Sequence, residues 1–321
     1  MTLTFNIEGG KAYIDLSQCV SLVNRRFYRQ GLNWAVSDFK FIFSQQPEVD
    51  SGVAISVNRL PNTWVMSNSW EKGFRAWQQM IKDATAETDQ QSVTGKFLDF
   101  KIYADNEHFG LGFGANLTPS TSSINYVGSA SYQAGEWIPA VLEVPVTSTG
   151  TTNPGQTTEL QIMALGPNYQ GGSVVSLVEG YSNSRALPLV GDPNVPADNS
   201  DANGVTPENW LAAIFNEGTN QAEGVLTDIA EYDEPPYPFE GDAAGNTDTM
   251  YPGGAANASG LTRHDTAFVT NTTVGGTTHL KGGSFPCGLM QIDTGDLSGI
   301  LQISLVPGSH RGYLAESMVD M

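Results

Sequence analysis

Asn58-Arg-Leu-Pro-Asn-Thr-Trp-Val-Met-Ser-Asn-Ser-Trp-Glu-Lys-Gly-Phe-Arg-Ala-Trp-Gln-Gln-Met-Ile-Lys-Asp-Ala84 is the one stretch of this chain with the pattern of a long helix. Trp70, Phe74, Trp77 and Ile81 fall at i, i+4, i+7 and i+11, which places four large apolar side chains on one stripe of a 3.6-residue repeat. Asn68 followed by Glu71 reads as a capping box, so the helix is expected near 68–84. Gly73 weakens it by about 1 kcal/mol. Burying two Trp and one Phe at roughly 2 to 3 kcal/mol each outweighs that loss, provided the stripe docks on something apolar. A β-sheet is the expected partner.

The sequence on either side of this helix reads as strands. Upstream, Leu3 to Ile7 alternates apolar and polar residues, Gly9-Gly10 turns, and Ala12 to Leu16 continues, which is a hairpin signal. Trp34 and Val36, then Phe39, Phe41 and Phe43, read as a strand pair or one bulged strand. Val53, Ile55 and Val57 share one face of a strand that leads into the helix. Downstream, Lys96 to Tyr103 reads as a strand and Glu107 to Leu117 as a glycine-rich loop. Trp137 to Val146 is broken by Pro139 and Pro145 and belongs at a sheet edge.

Thr147 to Thr158 contains no apolar residue and is the expected boundary, dividing the chain into 1–148 and 149–321. Beyond it, Glu159 to Leu165 and Ser173 to Glu179 read as strands. Thr206-Pro-Glu-Asn-Trp-Leu-Ala-Ala-Ile-Phe-Asn-Glu-Gly218 has a polar cap, Pro at the first helical position and a terminal Gly, which predicts a second helix near 206–217. An acidic, proline-rich loop covers Glu231 to Asp242, and Thr266 to Thr273 reads as a strand. Gly288 to Asp293 and Gly299 to Val306 read as a closing hairpin. Each half has short strands and one Trp-bearing helix. The expected fold class is therefore all-β, as two similar β domains that each carry one short inserted helix.

Composition agrees with that class. The 321 residues include 35 Gly and 17 Pro, and only 15% are charged. The net charge of −19 is unevenly spread: residues 1–101 hold 11 of the 15 Lys and Arg against 10 acids, and residues 102–321 hold 4 bases against 24 acids, or −20. Such an acidic surface repels phosphate backbones, and neither end reads as a basic arm, so direct nucleic-acid binding is not expected. Two cysteines, Cys19 and Cys287, are too few for a disulfide framework and read as buried thiols. No apolar run approaches the ~18 residues of a membrane span, and no leader pattern opens the sequence.

Chemistry-bearing patterns are sparse. His108, His264, His279 and His310 are scattered without ligand spacing, and His264 beside Asp265 reads as a surface residue rather than half of a catalytic pair. Gly282 to Gly288 has Pro286 where a nucleophile turn needs a helix start, which leaves Cys287 without that setting. Gly110 to Gly114 lacks the helix that a phosphate cradle requires. Asn199, Asp201, Asn203 and Gly204 open like a calcium loop, but position twelve is Trp210 rather than a bidentate Glu. The acids of the second half leave a loop-bound calcium ion as the one cofactor expectation. Arg25, Arg26 and Arg29, interleaved with Phe27 and Tyr28, form the one basic patch and are the candidate subunit-contact residues. Arginine forks favour carboxylates and phosphates alike, and in a chain with 34 acids pairing with another copy or with its own acidic loops is expected ahead of nucleic acid.

Asn24-Arg-Arg-Phe-Tyr-Arg-Gln-Gly31, Leu60-Pro-Asn-Thr-Trp-Val65, Trp70-Glu-Lys-Gly-Phe-Arg-Ala-Trp77 and Lys96-Phe-Leu-Asp-Phe-Lys101 together resemble the major capsid proteins of small circular single-stranded DNA viruses from aquatic environments. The inferred architecture is similar to the double jelly-roll capsid proteins of lipid-containing icosahedral phages. That resemblance implies two jelly-roll β-barrels, trimeric capsomers that self-assemble into an icosahedral virion shell, and assembly in a host cytoplasm. It also implies other virion proteins as partners, such as penton and spike, and proximity to an internal viral membrane. It implies no enzymatic activity. The competing expectations are a β-sandwich carbohydrate-binding or adhesion module, and a single jelly-roll capsid protein with a projecting domain; a two-carboxylate glycosidase finds no paired acids.

Overall fold

The computed structural model describes residues 1–44, 52–87, 98–121, 130–145, 157–166, 173–185 and 260–321. Contacts group Met1–Gly180 with Gly241–Met321 into one unit and Tyr181–Glu240 into another, and the architecture below belongs to the first. The expected helix near 206–217, the calcium-like run 199–204 and the acidic loop 231–242 lie outside the described residues.

Along the chain the elements are β1 (Thr2–Ile7), β2 (Lys11–Asp15), α1 (Leu16–Asn24), β3 (Leu32–Phe43), β4 (Val53–Arg59), α2 (Trp64–Glu87) and α3 (Asn106–Leu111). There follow β5 (Val141–Pro145), β6 (Thr157–Met163), β7 (Val174–Ser176), α4 (Leu177–Arg185), β8 (Thr262–Val269) and β9 (Thr277–Phe285). The chain closes with β10 (Leu289–Asp293), β11 (Gly299–Leu305), β12 (Pro307–Gly308), β13 (Gly312–Tyr313) and β14 (Ala315–Ser317). The fold is mostly β, in curled antiparallel sheets that make a half-barrel.

One sheet runs β1-β11-β3 with β9 on the far side of β3; the other runs β2-β10-β4-β8. Every strand of residues 2–59 thus pairs with a strand of residues 262–305. β1 pairs with β11, β2 with β10, β3 with β9 and β4 with β8, all antiparallel, like a long ribbon folded over on itself. The two hairpins expected from Gly9-Gly10 and from the 294–298 turn are corrected: each turn carries the chain from one sheet to the other, since β1 and β2, and likewise β10 and β11, lie in different sheets. A short glycine turn serves a hairpin and a sheet-to-sheet arch equally well, so local pattern does not separate them.

The core lies between these sheets and is filled by alternating side chains such as Leu3, Phe5 and Ile7 of β1 and Phe39, Phe41 and Phe43 of β3. In β3 the parity of the inward set changes between Val36 and Phe39. A register shift opposite Ser304 and Leu305, which pair with Asp38 and Val36, marks a bulge at Ser37 and lets Trp34 and Val36 face the same core. The bulged reading of this strand is the observed one. β9, by contrast, has no strand signal in its Thr-Thr-His-Leu-Lys-Gly-Gly-Ser-Phe sequence.

Between β4 and β8 the chain makes a long excursion. Its helix α2 begins at Trp64, four residues before Asn68, so Asn68 lies inside the helix and the capping box does not mark its start. The stripe forms as expected, with Trp70 and Trp77 buried. Its partner is Phe100, whose ring centroid lies 5.9, 5.7 and 5.6 Å from those of Trp70, Phe74 and Trp77. Gly73 earns its place here, because a Cβ would come within 2.4 Å of Leu177 Cδ2.

Three further expectations are corrected. Residues 98–102 form no strand, and Tyr103 makes only a single parallel bridge to Met163. The expected loop after Glu107 contains α3, started by Asp105, whose carboxylate accepts the His108 N–H. The expected strand 173–179 is β7 followed at once by α4. β5, as expected, is the edge of a small sheet ordered β5-β6-β7, and it pairs with β6 across the apolar-free run 147–158.

Candidate functional site

The basic-aromatic segment 24–31 is held rigidly, and the reason lies in α1, a helix absent from the sequence expectations although Leu16, Cys19, Val20 and Val23 have helical spacing. Asp15 is its N-cap, accepting from Ser17 N at 2.9 Å and Gln18 N at 3.2 Å. At its C-terminal end Arg25 takes the left-handed conformation, φ +52°, and turns the chain back. The returning segment is then tied to the helix it left. Ser21 Oγ accepts from Tyr28 N at 2.9 Å, and Ser17 Oγ donates to Arg29 O at 3.0 Å while accepting from Trp34 Nε1 at 2.9 Å. Gln30 Nε2 donates to Asp15 Oδ2 at 3.0 Å and Gln30 Oε1 accepts from Ile102 N at 2.7 Å, which fixes its amide orientation.

Asp15 is fully buried and also accepts from Trp137 Nε1 at 2.9 Å, so four donors converge on it. Burial nonetheless pushes its carboxyl up to about 7, against the pull of those donors. A second buried chain joins the sheet to the excursion. Gln291 Nε2 donates to Tyr13 OH at 2.7 Å, and Tyr13 OH donates to Asp105 Oδ1 at 2.8 Å. The ring of Tyr13 stacks on His108 with centroids 4.5 Å apart. Ala104 N–H donates to His108 Nδ1 at 3.0 Å, so the ring proton sits on Nε2 and is donated to Asn116 Oδ1 at 2.7 Å. Burial holds His108 as the neutral base, with its pKa down to about 4.

The structure distributes the three candidate arginines rather than clustering them. Arg25 lines a shallow depression with Leu22, Glu136 and Trp137, Arg29 lines a larger cleft, and Arg26 borders both. The larger cleft has a volume of about 690 Å3 and two kinds of wall. Trp70, Phe74 and Phe100 supply an aromatic side; Arg26, Arg29 and Arg311 supply cations. Arg311, also at φ +52°, lies over the Tyr28 ring at 5.7 Å and donates to Phe27 O at 2.9 Å. Asp99, in the same lining, is ion-paired with Lys101 at 2.6 Å, and burial raises its pKa against the pull of that partner. Trp70 Nε1 is buried without a hydrogen-bond partner in the described residues.

Sequence reasoning reached Arg26 and Arg29 but missed Arg311 and the aromatic wall. Position 311 is brought to position 26 only by the pairing of chain ends, which no local pattern encodes. The other candidates have structural roles. His264 Nε2 faces the carbonyls of Lys281 and Gly282 at 2.9 and 3.1 Å, and Asp265 accepts from Lys281 N at 2.8 Å, so together they fasten β8 to β9. Cys19 and Cys287 are buried and unpaired, with both thiols raised by burial. Among the described residues no three of His, Cys, Asp and Glu group as metal ligands, and no helix is long and apolar enough to cross a membrane. No protein-family model matches this chain, and no characterised protein or solved structure matches it significantly.

Proposed function

We propose that this chain is a structural shell subunit, a major capsid protein whose work is to repeat the same contacts between many copies, and that it is not an enzyme. The observation that carries the reading is the strand order β1-β11-β3-β9 facing β2-β10-β4-β8, in which four strands from one end of the chain pair with four from the other. That nested antiparallel wrap is the jelly roll, an architecture found in viral capsid, lectin and cupin domains. Fold alone does not select among these. The capsid-like phrases at 24–31, 60–65, 70–77 and 96–101 favour the shell.

Of the two capsid architectures expected, the pairing favours one jelly roll with a long insertion between β4 and β8 over two barrels in tandem, because eight of the nine strands in the two sheets come from residues 2–59 and 262–305 and the ninth is the short terminal β14 on β3. The insertion is the natural place for a projecting element. Trimeric capsomers, a place in a virion shell with penton and spike proteins, and an internal membrane remain parts of the same proposal, as does a calcium ion bound by acids of the insertion.

The experiment is the solution mass of the purified chain by light scattering, with electron microscopy of the same sample across salt and calcium. Trimers or closed shells are the expected result. A chain that stays monomeric under every condition removes the shell reading, and a glycan-binding screen would then test the adhesion-module alternative.

A further inference from the structure

Asp99 is the one acid in the lining of the large cleft. Burial raises its pKa, and Lys101, 2.6 Å away, and Arg29 pull it back down, so Arg29 is spent on that carboxylate. Arg26 and Arg311 are not spent in this way. Among the described residues no carboxylate lies within ion-pair distance of either guanidinium. Arg311 gives an N–H to Phe27 O at 2.9 Å and lies over the Tyr28 ring, contacts that hold the guanidinium in place without neutralising it. Its charge reaches His310 in the same lining, whose pKa is lowered by burial and by Arg311, so that imidazole is neutral at pH 7. Arg26 and Arg311 also line a polar depression with Met1, Asn24 and Tyr313, which places both cations at the border the two hollows share.

The rest of the wall is apolar. Phe74 stacks on Trp70, with centroids 5.0 Å apart, and on Trp77 at 6.4 Å, while Phe100 stands edge-on to Trp70 at 75°. These rings take up one another's faces, so a flat aromatic ligand gains little by stacking here. What the lining offers is half-buried Leu32, Phe74 and Leu98 and the 40% exposed Phe27, a surface that suits a flexible aliphatic chain. The volume of about 690 Å3 falls within the roughly 300 to 1,000 Å3 of small-molecule sites, which join an apolar lining to a few placed polar groups. We infer that the cleft binds an amphipathic anion, a medium-chain carboxylate of the fatty-acid class, with its head on Arg26 and Arg311 and its chain along Phe27, Leu32, Phe74 and Leu98. Arginine forks take both oxygens of a carboxylate at once. This binding is separate from assembly and does not depend on the shell reading. A polyanionic nucleic acid is the poorer occupant, because the excess of −20 over residues 102–321 repels it.

The test is calorimetric titration of the full chain with decanoate below its micelle concentration. Decanol and decyltrimethylammonium keep the chain and change the head, and acetate keeps the head without the chain. One decanoate per protein is expected, with each of the three analogues weaker by about tenfold or more. Arg26→Gln with Arg311→Gln should weaken decanoate by about tenfold and leave decanol unchanged, and Arg26→Gln alone, at an exposed side chain without an ion pair, should move affinity the same way. Leu98→Glu sets a carboxylate in the path of the chain and should abolish binding, with circular dichroism verifying that each variant is folded. Phe268→Ala removes a 73% exposed ring that is not in the lining and should change nothing. Absence of saturable binding overturns the inference. So does decyltrimethylammonium binding as tightly as decanoate, or undiminished decanoate binding by both arginine variants. Equal losses in Phe268→Ala and Leu98→Glu would make the binding surface adsorption, and acetate matching decanoate would remove the apolar wall from the site. If phosphatidylglycerol vesicles bind and decanoate does not, the arginines serve a membrane surface and the cleft assignment likewise falls.

Discussion

Gly282→Ala should unfold the β9 side of the sandwich, and its magnitude follows from the bulge in β3. A Cβ on Gly282 would lie 2.2 Å from Val36 O, 2.3 Å from Ser37 O and 2.4 Å from Ser37 C, where ordinary contact begins near 3.4 Å. All three are backbone atoms of the bulge, so no side chain can swing away, and β9 must retreat by about 1 Å. The pairs Val36↔Gly283 and Asp38↔Lys281 flank the contact, and their hydrogen bonds stretch with it. Two or three backbone bonds at about 1 kcal/mol each, with loosened packing of Leu280 and Phe285, give a loss of about 3 to 5 kcal/mol. The assay is urea unfolding followed by tryptophan fluorescence, since Trp34 pairs with Phe285 and is fully buried. Two glycine variants calibrate it. Gly10→Ala has open space but φ +82°, and should cost about 1 to 2 kcal/mol. Gly114→Ala has neither obstacle and should stay within about 0.5 kcal/mol of wild type. A Gly282→Ala midpoint equal to that of Gly114→Ala would refute the account of the bulge.

Two buried titrating groups should pull the pH dependence of stability in opposite directions. His108 has its folded pKa lowered from 6.5 to about 4, so its contribution is whole above pH 6.5 and is lost as pH falls towards 4. His108→Gln keeps an acceptor and a donor and should remove about 2 kcal/mol of that acid sensitivity, measured as denaturant midpoints at pH 4.5 and 7. Asp15 has its folded pKa raised from 3.8 to about 7, so its contribution is whole below pH 3.8 and is lost as pH rises through 7. Asp15→Asn should therefore lose less stability than wild type between pH 4 and 7, by about 3 kcal/mol, and an unchanged slope would contradict the burial argument. Tyr13→Phe deletes the hydroxyl between Gln291 and Asp105 and should cost about 1 to 3 kcal/mol in the same assay.

What the sequence made legible was whatever depends on near neighbours. The inward faces of β1, β3 and β4, the bulge in β3, the Trp stripe of α2 and the edge character of β5 are all encoded within a dozen residues. The start of α2 was misplaced because Asn68 and Glu71 imitate a cap, whereas Ser67 N–H already bonds Thr63 O and the helix is under way by then. β9 was invisible because its two central glycines answer to β3, some 245 residues earlier, and not to their own strand. The cleft was half visible for the same reason. Arg26 and Arg29 stand out as a local patch, while Arg311 and Phe100 join them only through long-range pairing.

The way the sheet edges are finished bears on how copies can meet. An open edge invites strand addition from another chain. Here the edges on one side are occupied from within: Ser120 N–H bonds Thr4 O of β1, and Leu117 N–H bonds Tyr13 O of β2 at 2.8 Å. On the other side, Asp265 and His264 of β8 take the backbone N–H and O of Lys281 in β9. A contact that cannot extend a sheet must use side chains or turns. Asp265→Ala tests this reasoning. It frees Lys281 N–H at the β8–β9 corner, and should convert the chain from specific assembly to salt-resistant, thioflavin-positive aggregation. If that variant assembles as wild type does, edge closure is not what confines contacts to side chains and turns.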